Sequence, residues 1–186
     1  EGSNRDNLST RIIDEVKSSE SNWCMSYPQN KRARNVKTGD VMFIARMVEA
    51  PNDMRIYGRA IAYAYQLGRD DASAADIKRR HWKSNWCHYI RVRDPEFIAG
   101  TLAHGISLKA LMKRFGADSF VTTSDHAKHG SGNTNPTLSL RRQAQVRLTP
   151  VAANWLNTEF NRALALHGRI PISELEQLYS PELPCK

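Results

Sequence analysis

Apolar residues recur at the spacing of an amphipathic helix in several parts of the chain. The clearest pattern begins at Thr149 and Pro150, an N-cap residue and a first-turn proline, and ends at Gly168. Trp155 lies on its apolar side, so we expect this tryptophan in the core. Gly116 is placed to end another helix. Shorter helical patterns cover residues 8–16, 97–102, 108–115 and 172–179, and residues 72–80 form a short helical or loop insertion.

Other segments carry the pattern of β-strands. Residues 41–45 and 56–63 are apolar runs separated by a turn at residues 51–53, and together they predict a β-hairpin. Residues 88–93 alternate between apolar and polar positions, which predicts a strand. Further strands are predicted within residues 18–39 and at 143–148. The polar stretch at 122–137 is rich in Gly, Ser and Asn and predicts a mobile loop.

These elements predict an α+β (mixed α/β) fold, built as a small, partly open β-barrel with flanking helices. Few strands with irregular connections do not suit a doubly wound sheet. The length of 186 residues suits one domain that buries its own core. We expect an N-terminal helical extension at 1–19, the main domain at 20–168, and a tail or short helix at 169–186.

Cationic residues exceed acidic residues in this chain. Lys and Arg number 27 against 19 Asp and Glu, which gives a formal net charge of +8 at pH 7. Such a surplus favours polyanion binding, because cations that neutralise phosphates release condensed counterions. A basic protein with another role would show the same surplus, so charge alone does not identify the partner.

The cysteines, the hydropathy and the start of the chain indicate the compartment in which the protein acts. The three cysteines, Cys24, Cys87 and Cys185, are odd in number and form no CxxC pair. We therefore expect a reducing compartment, the cytoplasm or, in a eukaryote, the nucleus. No apolar run approaches the roughly 20 residues of a membrane span, so we expect no membrane partner. The start lacks Met and the pattern of a signal peptide, which suggests a module of a longer protein.

Motifs for catalysis are absent or weak. The chain contains no phosphate-binding glycine loop, no GxSxG and no HExxH. Ser124, Asp125 and His126 are the residue types of a catalytic triad, but three neighbours on a loop cannot hold triad geometry. We therefore expect a non-catalytic module without a cofactor.

Metal ligation is also unsupported by the pattern. Cys87 and His88 are adjacent ligand types, but strand alternation would send them to opposite faces. Asp70 and Asp71 follow a glycine turn and suggest a solvated loop rather than an acid–base pair. We expect no metal.

Tryptophans and cations are interleaved in two regions of the chain. Trp23 and Trp86 each follow a Ser-Asn pair and precede a cysteine, which is a polar setting for a large aromatic residue. A flat ring can stack on a base while nearby cations hold phosphates, and such stacking contributes about 1–3 kcal/mol per base. The alternative is that both tryptophans belong to the core, and the sequence leaves the two readings open.

Several short motifs occur in the order found in one superfamily. They are Trp23-Cys24-Met25-Ser26, Ala33-Arg34-Asn35, Gly39-Asp40, Val41-Met42-Phe43-Ile44, Tyr57-Gly58-Arg59-Ala60, and the stretch from Tyr89 to Phe97. Over residues 20–150 this order resembles the YTH and EVE branch of the PUA-like superfamily. Tyr89 stands where the family carries a second cage tryptophan, and Trp86 is the alternative wall.

The resemblance implies a PUA-like domain that takes one modified base into an aromatic cage, N6-methyladenine in RNA or DNA or a modified cytosine in DNA. The base-binding residues it implies are Ser21, Asn22, Trp23, Asn35, Trp86 and Tyr89. The phosphate-binding residues would be Lys31, Arg32, Arg34, Lys37, Arg141 and Arg142. Microbial members are often fused to restriction nucleases or motor subunits, so a fused or associated domain of that kind is an expected partner.

Two other classes of function remain open from the sequence. One is a module for unmodified RNA or single-stranded DNA, in which the aromatic residues stack without a closed pocket. The other is a protein-interaction or regulatory domain, in which the positive charge is incidental.

Overall fold

The computed structural model describes residues 17–18, 22–27, 36–49, 53–68, 70–79, 81–85, 87–142 and 145–171. The helices predicted at 8–16 and 172–179 lie outside these residues. The chain divides into two compact units. The first contains Glu1–Ile44, Gly58–Thr101 and Arg169–Lys186, and the second contains Ala45–Tyr57 and Leu102–Gly168.

The described strands form an antiparallel sheet. They are β1 (Lys17–Ser18), β2 (Asn22–Tyr27), β3 (Val41–Glu49), β4 (Asp53–Ala62), β5 (His88–Phe97) and β6 (Ile106–Ser107). Their order is β1-β2-β5-β4-β3, with β6 paired to β4. The predicted hairpin is confirmed as the neighbours β3 and β4. The α+β class is confirmed, but the described strands leave the sheet open at β1 and β3, so closure into a barrel is not shown.

The predicted strand at 88–93 is confirmed and extends further, to Phe97. The extension passes through Asp94, whose φ is 50°, and Pro95, which has no N–H to donate. The pairing between β4 and β5 shifts register at this point, between Arg59 and Ile61. A β-bulge of this kind lets a strand continue past a residue that cannot join the ladder.

The first unit buries the small residues of β4 against the apolar residues of β5. Its buried hydrophobic residues are Ile44, Ala60, Ala62, Ile90, Val92, Phe97, Ile98 and Ile170. Gly58 is part of this packing, because an added Cβ would lie 2.5 Å from Cε1 of Phe97. The unit also contains helix α1 (Ala74–Arg79), within the predicted segment 72–80.

The second unit is mainly helical. Its helices are α2 (Leu108–Phe115), α3 (Val121–His129), α4 (Pro136–Arg142) and α5 (Pro150–His167). Its buried hydrophobic residues are Ile56, Tyr57, Leu102, Leu108, Leu111, Phe120, Ala152, Leu156 and Phe160.

The predicted ends of α2 and α5 are confirmed. The N–H of Gly116 donates to the carbonyl of Met112 at the end of α2. The hydroxyl of Thr149 accepts from the N–H of Ala152 at 3.3 Å, and Pro150 occupies the first turn of α5.

The mobile loop predicted at 122–137 is wrong, because α3 and the start of α4 occupy most of it. The hydroxyl of Thr123 donates to the carbonyl of Phe120 at 3.0 Å, and that of Ser124 donates to Asp118 Oδ1 at 2.6 Å. Both residues are buried, and their hydroxyl groups are satisfied by oxygens of the turn that precedes the helix. Gly130, with φ of 63°, ends α3 in the left-handed conformation.

Two further predicted elements are also wrong. The helix expected at 97–102 is replaced by the end of β5 and a 3-10 turn at Leu102–His104. Of the strand expected at 143–148, the structure describes residues 145–148, which carry one isolated bridge, between Leu148 and Phe120, before Thr149 caps α5. Strand formers without a neighbouring ladder do not form a strand.

Replacement of Gly58 by alanine tests the close packing of β4. The Cβ of the G58A variant would overlap the Phe97 ring, so we expect the free energy of unfolding to fall by about 1–3 kcal/mol in urea denaturation. Leucine at Phe97 removes the clashing atoms, so the double variant G58A/F97L should lose less stability than the two single losses combined. Strictly additive losses would contradict this packing.

Candidate functional site

Pairing of β2 with β5 joins two segments that carry predicted base-binding residues. Asn22 and Trp23 belong to β2, and Tyr89 belongs to β5. In the register Trp23 lies opposite Val92, which is buried, and Tyr89 lies opposite Ser26. The two predicted cage residues are therefore three register positions apart on neighbouring strands, and because faces alternate along a strand, this odd offset places them at positions on opposite faces of the sheet. Their roles stay predictions.

The other predicted site residues are distributed along the chain. Ser21, Asn35, Trp86, Lys31, Arg32 and Arg34 lie outside the described residues. Arg141 and Arg142 belong to the last turn of α4. Lys37 is exposed in the turn before β3, where its backbone N–H donates to Asp40 Oδ2 at 2.9 Å. Their phosphate-binding roles also stay predictions.

A polar network anchors the segment after β4 to the start of β5. Asp71 Oδ1 accepts from the Tyr65 hydroxyl at 2.7 Å and lies 2.6 Å from His88 Nδ1. Asp71 Oδ2 accepts from the N–H of Gly68 at 2.8 Å. The ring of Tyr65 also meets the buried His88 ring edge-on, with centroids 5.9 Å apart. These contacts position His88 directly beside Tyr89.

The neighbouring carboxylate extends the network along β5. Asp70 is 1% exposed, and its Oδ1 accepts from Arg91 Nε at 2.8 Å. Its Oδ2 accepts from the N–H of Gln66 at 2.7 Å. The expectation that Asp70 and Asp71 form a solvated loop is therefore wrong. Removing a carboxylate from water costs several kcal/mol, and these partners offset that cost.

The thiol of Cys87 lies beside this network. Its Sγ is 3.8 Å from His88 Nε2, so the prediction that the two side chains diverge is wrong. Strand alternation does not apply to the pair, because β5 begins at His88 and Cys87 precedes it. Within the part of the chain that the structure describes, no three His, Cys, Asp or Glu residues are grouped as metal ligands.

Hydrogen bonding determines the ionisation of Asp71. Partial burial by itself raises the pKa of this carboxyl group, since it disfavours the charged form. Hydrogen bonds from Tyr65, His88 and the N–H of Gly68, with the positive charge that His88 can carry, outweigh burial and hold the pKa below its usual value. The ionised carboxylate is thus the form that the folded network favours.

Ser124 and His126, two of the three triad residue types at 124–126, have partners outside that tripeptide. Ser124 donates to Asp118, and His126 Nδ1 lies 2.9 Å from the carbonyl of Asn133. All three residues lie in α3 rather than on the predicted loop, and these contacts join Ser124 and His126 to the turns that flank the helix.

Sequence reasoning missed an aromatic and cationic group in the second unit. Trp155 was expected in the core but is half-buried, while Leu156 and Phe160 of the same helix are buried. Its ring meets Phe115 edge-on with centroids 5.9 Å apart, and the guanidinium of Arg114 lies over both rings. The signal available in the sequence was the Lys-Arg-Phe run that ends α2.

Comparisons with known proteins give no relative. No family model, no curated protein and no solved structure matches this chain. None of the helices in the described ranges is long and apolar enough to cross a membrane.

The Asp71 network makes stability depend on pH. The pKa of Asp71 is lower in the folded chain than in the unfolded chain, so its contribution is present above the unfolded value of about 3.8 and disappears as the pH falls through the folded value. We expect D71N to be less stable than the wild type in urea at pH 6, and the difference to shrink at pH 3. D94N is the control, because Asp94 is exposed and its ion pair with Arg93 spans 3.9 Å. A difference that persists undiminished at pH 3 would contradict the assignment.

Proposed function

We propose that the chain is a nucleic-acid-binding module that takes one modified base, a methylated base in the first instance, into an aromatic cage. The observation that supports the proposal is the pairing of β2 with β5, because it places the Asn22-Trp23 segment and the segment that follows Trp86 on neighbouring strands of one sheet. Trp23 forms one wall of this cage and Trp86, the alternative to Tyr89, forms the other, because Trp23 and Tyr89 occupy positions on opposite faces of the sheet. The excess of 27 cationic over 19 acidic residues supports a polyanionic ligand.

Recognition of one base in this way requires that the base leaves its stack. Aromatic walls replace part of the lost stacking, which is least costly for a base that is unpaired or in a single strand. One buried methyl group contributes only about 0.8 kcal/mol, so burial alone gives little selectivity. Asn22 or Asn35 therefore reads the base edge by hydrogen bonds, and steric fit excludes other bases.

The architecture required by the proposal is a PUA-like, partly open barrel. An antiparallel sheet with helices in an α+β chain supports this requirement at the level of fold class. The network of Asp70 and Asp71 gives further support, because it holds the first residues of β5, which follow Trp86 closely in the sequence. In the full protein, the module acts within or beside a nuclease or motor subunit and is not itself catalytic.

A binding panel tests the proposal directly. Methylated and unmethylated DNA and RNA oligonucleotides of one sequence are titrated at two salt concentrations. Preference for a methylated ligand supports base reading. Equal affinity for both forms indicates a module for unmodified RNA or single-stranded DNA, and salt-independent or absent binding favours a protein-interaction domain.

Truncation of Trp23 separates base reading from general affinity. We expect W23A to lose its preference for the modified oligonucleotide, with a loss of about 1–3 kcal/mol in binding free energy from the missing stacking. Y63A is the matched control, because Tyr63 is an aromatic residue of the same unit with 38% exposure and no assigned role. Unchanged selectivity in W23A would remove this residue from the site.

Neutralisation of Arg32 or Arg34 has a different signature. We expect R32Q and R34Q to weaken binding to modified and unmodified ligands alike, since phosphate contacts carry no base information. Each variant should reduce the slope of log affinity against log salt by about 0.9 on a DNA duplex. A change in selectivity with an unchanged salt slope would assign these residues to the base instead.

A further inference from the structure

The exposed side of α2 carries cations and no carboxylate. Lys109, Lys113 and Arg114 are exposed, whereas Leu108 and Leu111 on the other side of the helix are buried. Residues four apart lie one above the other on a helix, so Lys109 and Lys113 form a stripe, with Arg114 beside it. We call these three residues the α2 cationic face. The sequence of α2 contains no Asp or Glu.

Three carboxylates of the second unit have other partners. Asp53 binds Arg55 at 2.8 Å, and Asp118 accepts from Ser124. Glu159 lies 4.0 Å from Arg162 on its own helix. No carboxylate of the described residues forms an ion pair within 4.0 Å of the α2 cationic face, which therefore retains its positive charge toward solvent.

Three arginines of the first unit, in contrast, form ion pairs with carboxylates. Arg91 is paired with the buried Asp70, and Glu96 accepts from both Arg59 and Arg169. A guanidinium that neutralises a carboxylate of its own chain adds less net positive charge to the field that attracts a phosphate. Among the described cations, these arginines are therefore paired within the fold, whereas those of the α2 cationic face have no carboxylate partner.

Arg114 is also held in place by aromatic rings. Its guanidinium carbon lies 5.6 Å from the centroid of Phe115 and 5.9 Å from that of Trp155. Both distances are within the range of cation–π attraction, which contributes about 0.5–1 kcal/mol at exposed sites. A guanidinium held by two rings loses less conformational freedom when its N–H groups bind phosphate oxygens.

We propose that the α2 cationic face binds the sugar-phosphate backbone of a nucleic acid, with Arg114 as a pre-organised phosphate ligand and Lys109 and Lys113 as flanking charges. This inference rests on the proposed function and adds a contact surface outside the predicted base site. Helix α4, which carries Arg141 and Arg142, lies next to α2, since the Thr137 hydroxyl is 3.9 Å from Met112 Sδ. The predicted phosphate ligands Arg141 and Arg142 thus belong to a helix whose first turn contacts Met112 of α2.

Neutralisation of the two lysines gives a quantitative test. We expect K109Q/K113Q to reduce the slope of log affinity against log salt by about 1.8 on a 20-base-pair DNA duplex, from two lost contacts at 0.9 each. Between about 50 and 200 mM salt, wild-type affinity should then fall about twelvefold more than that of the variant. The control is K128Q/R162Q, which loses the same net charge from α3 and α5 and should retain a slope closer to the wild-type value.

Replacement of Arg114 by lysine tests pre-organisation separately. R114K retains the charge but loses the planar fork that lies over Phe115 and Trp155, so we expect a several-fold loss of affinity with the salt slope unchanged. Circular dichroism and urea denaturation establish that each variant is folded. Wild-type affinity in R114K would overturn the role of Arg114.

The outcomes separate this inference from the proposed function. If the wild type binds none of the DNA or RNA oligonucleotides, the proposed function fails and the inference fails with it. If the wild type binds but K109Q/K113Q and K128Q/R162Q have equal slopes, the α2 cationic face is overturned while base reading by Trp23 stands. A reduced slope in K109Q/K113Q alone supports the inference.

Discussion

Two adjacent carboxylates fix the segment that follows β4 to the first residues of β5. Asp70 is almost completely buried, and it is tolerated there because Arg91 Nε and a backbone N–H satisfy its oxygens. Asp71 accepts a hydrogen bond from the Tyr65 hydroxyl and binds the ring of His88. Loss of one partner would leave a buried charge uncompensated, at a cost of about 3–5 kcal/mol. The position of the start of β5 depends on this arrangement.

Ion pairing within the fold divides the cations into two groups. Arg59, Arg91 and Arg169 neutralise carboxylates of the first unit, so they contribute to the fold more than to an external field. Lys109 and Lys113 have no such partner among the described residues and remain exposed. The formal net charge of +8 gives the size of the cationic excess. The pattern of ion pairs determines which side chains remain available to attract a ligand.

Burial of hydroxyl groups explains why a polar stretch became helical. Thr123 and Ser124 lie at the start of α3, where their hydroxyls bind oxygens of the preceding turn at Phe120 and Asp118. Residues of this type weaken a helix interior but suit its first turn. Polarity alone predicted a loop at 122–137, because the partners that satisfy these groups come from the 3-10 turn at Gly116–Ser119 and from Phe120, and their positions are not visible in composition.

Local rules determined the parts of this protein whose signals lie within a few residues of one another. The ends of α2 and α5, the β3–β4 hairpin and the alternation of β5 follow from caps, turns and periodicity, all of which are written in adjacent residues. Only the tertiary structure decided that Asp70 and Asp71 are partners of β5 and that Trp155 is half-buried beside Arg114. These contacts join residues 17 to 41 positions apart. The packing of the elements determines which charged side chains form pairs and that the Trp155 ring is only half-buried. The spacing of residues within one element does not encode this packing.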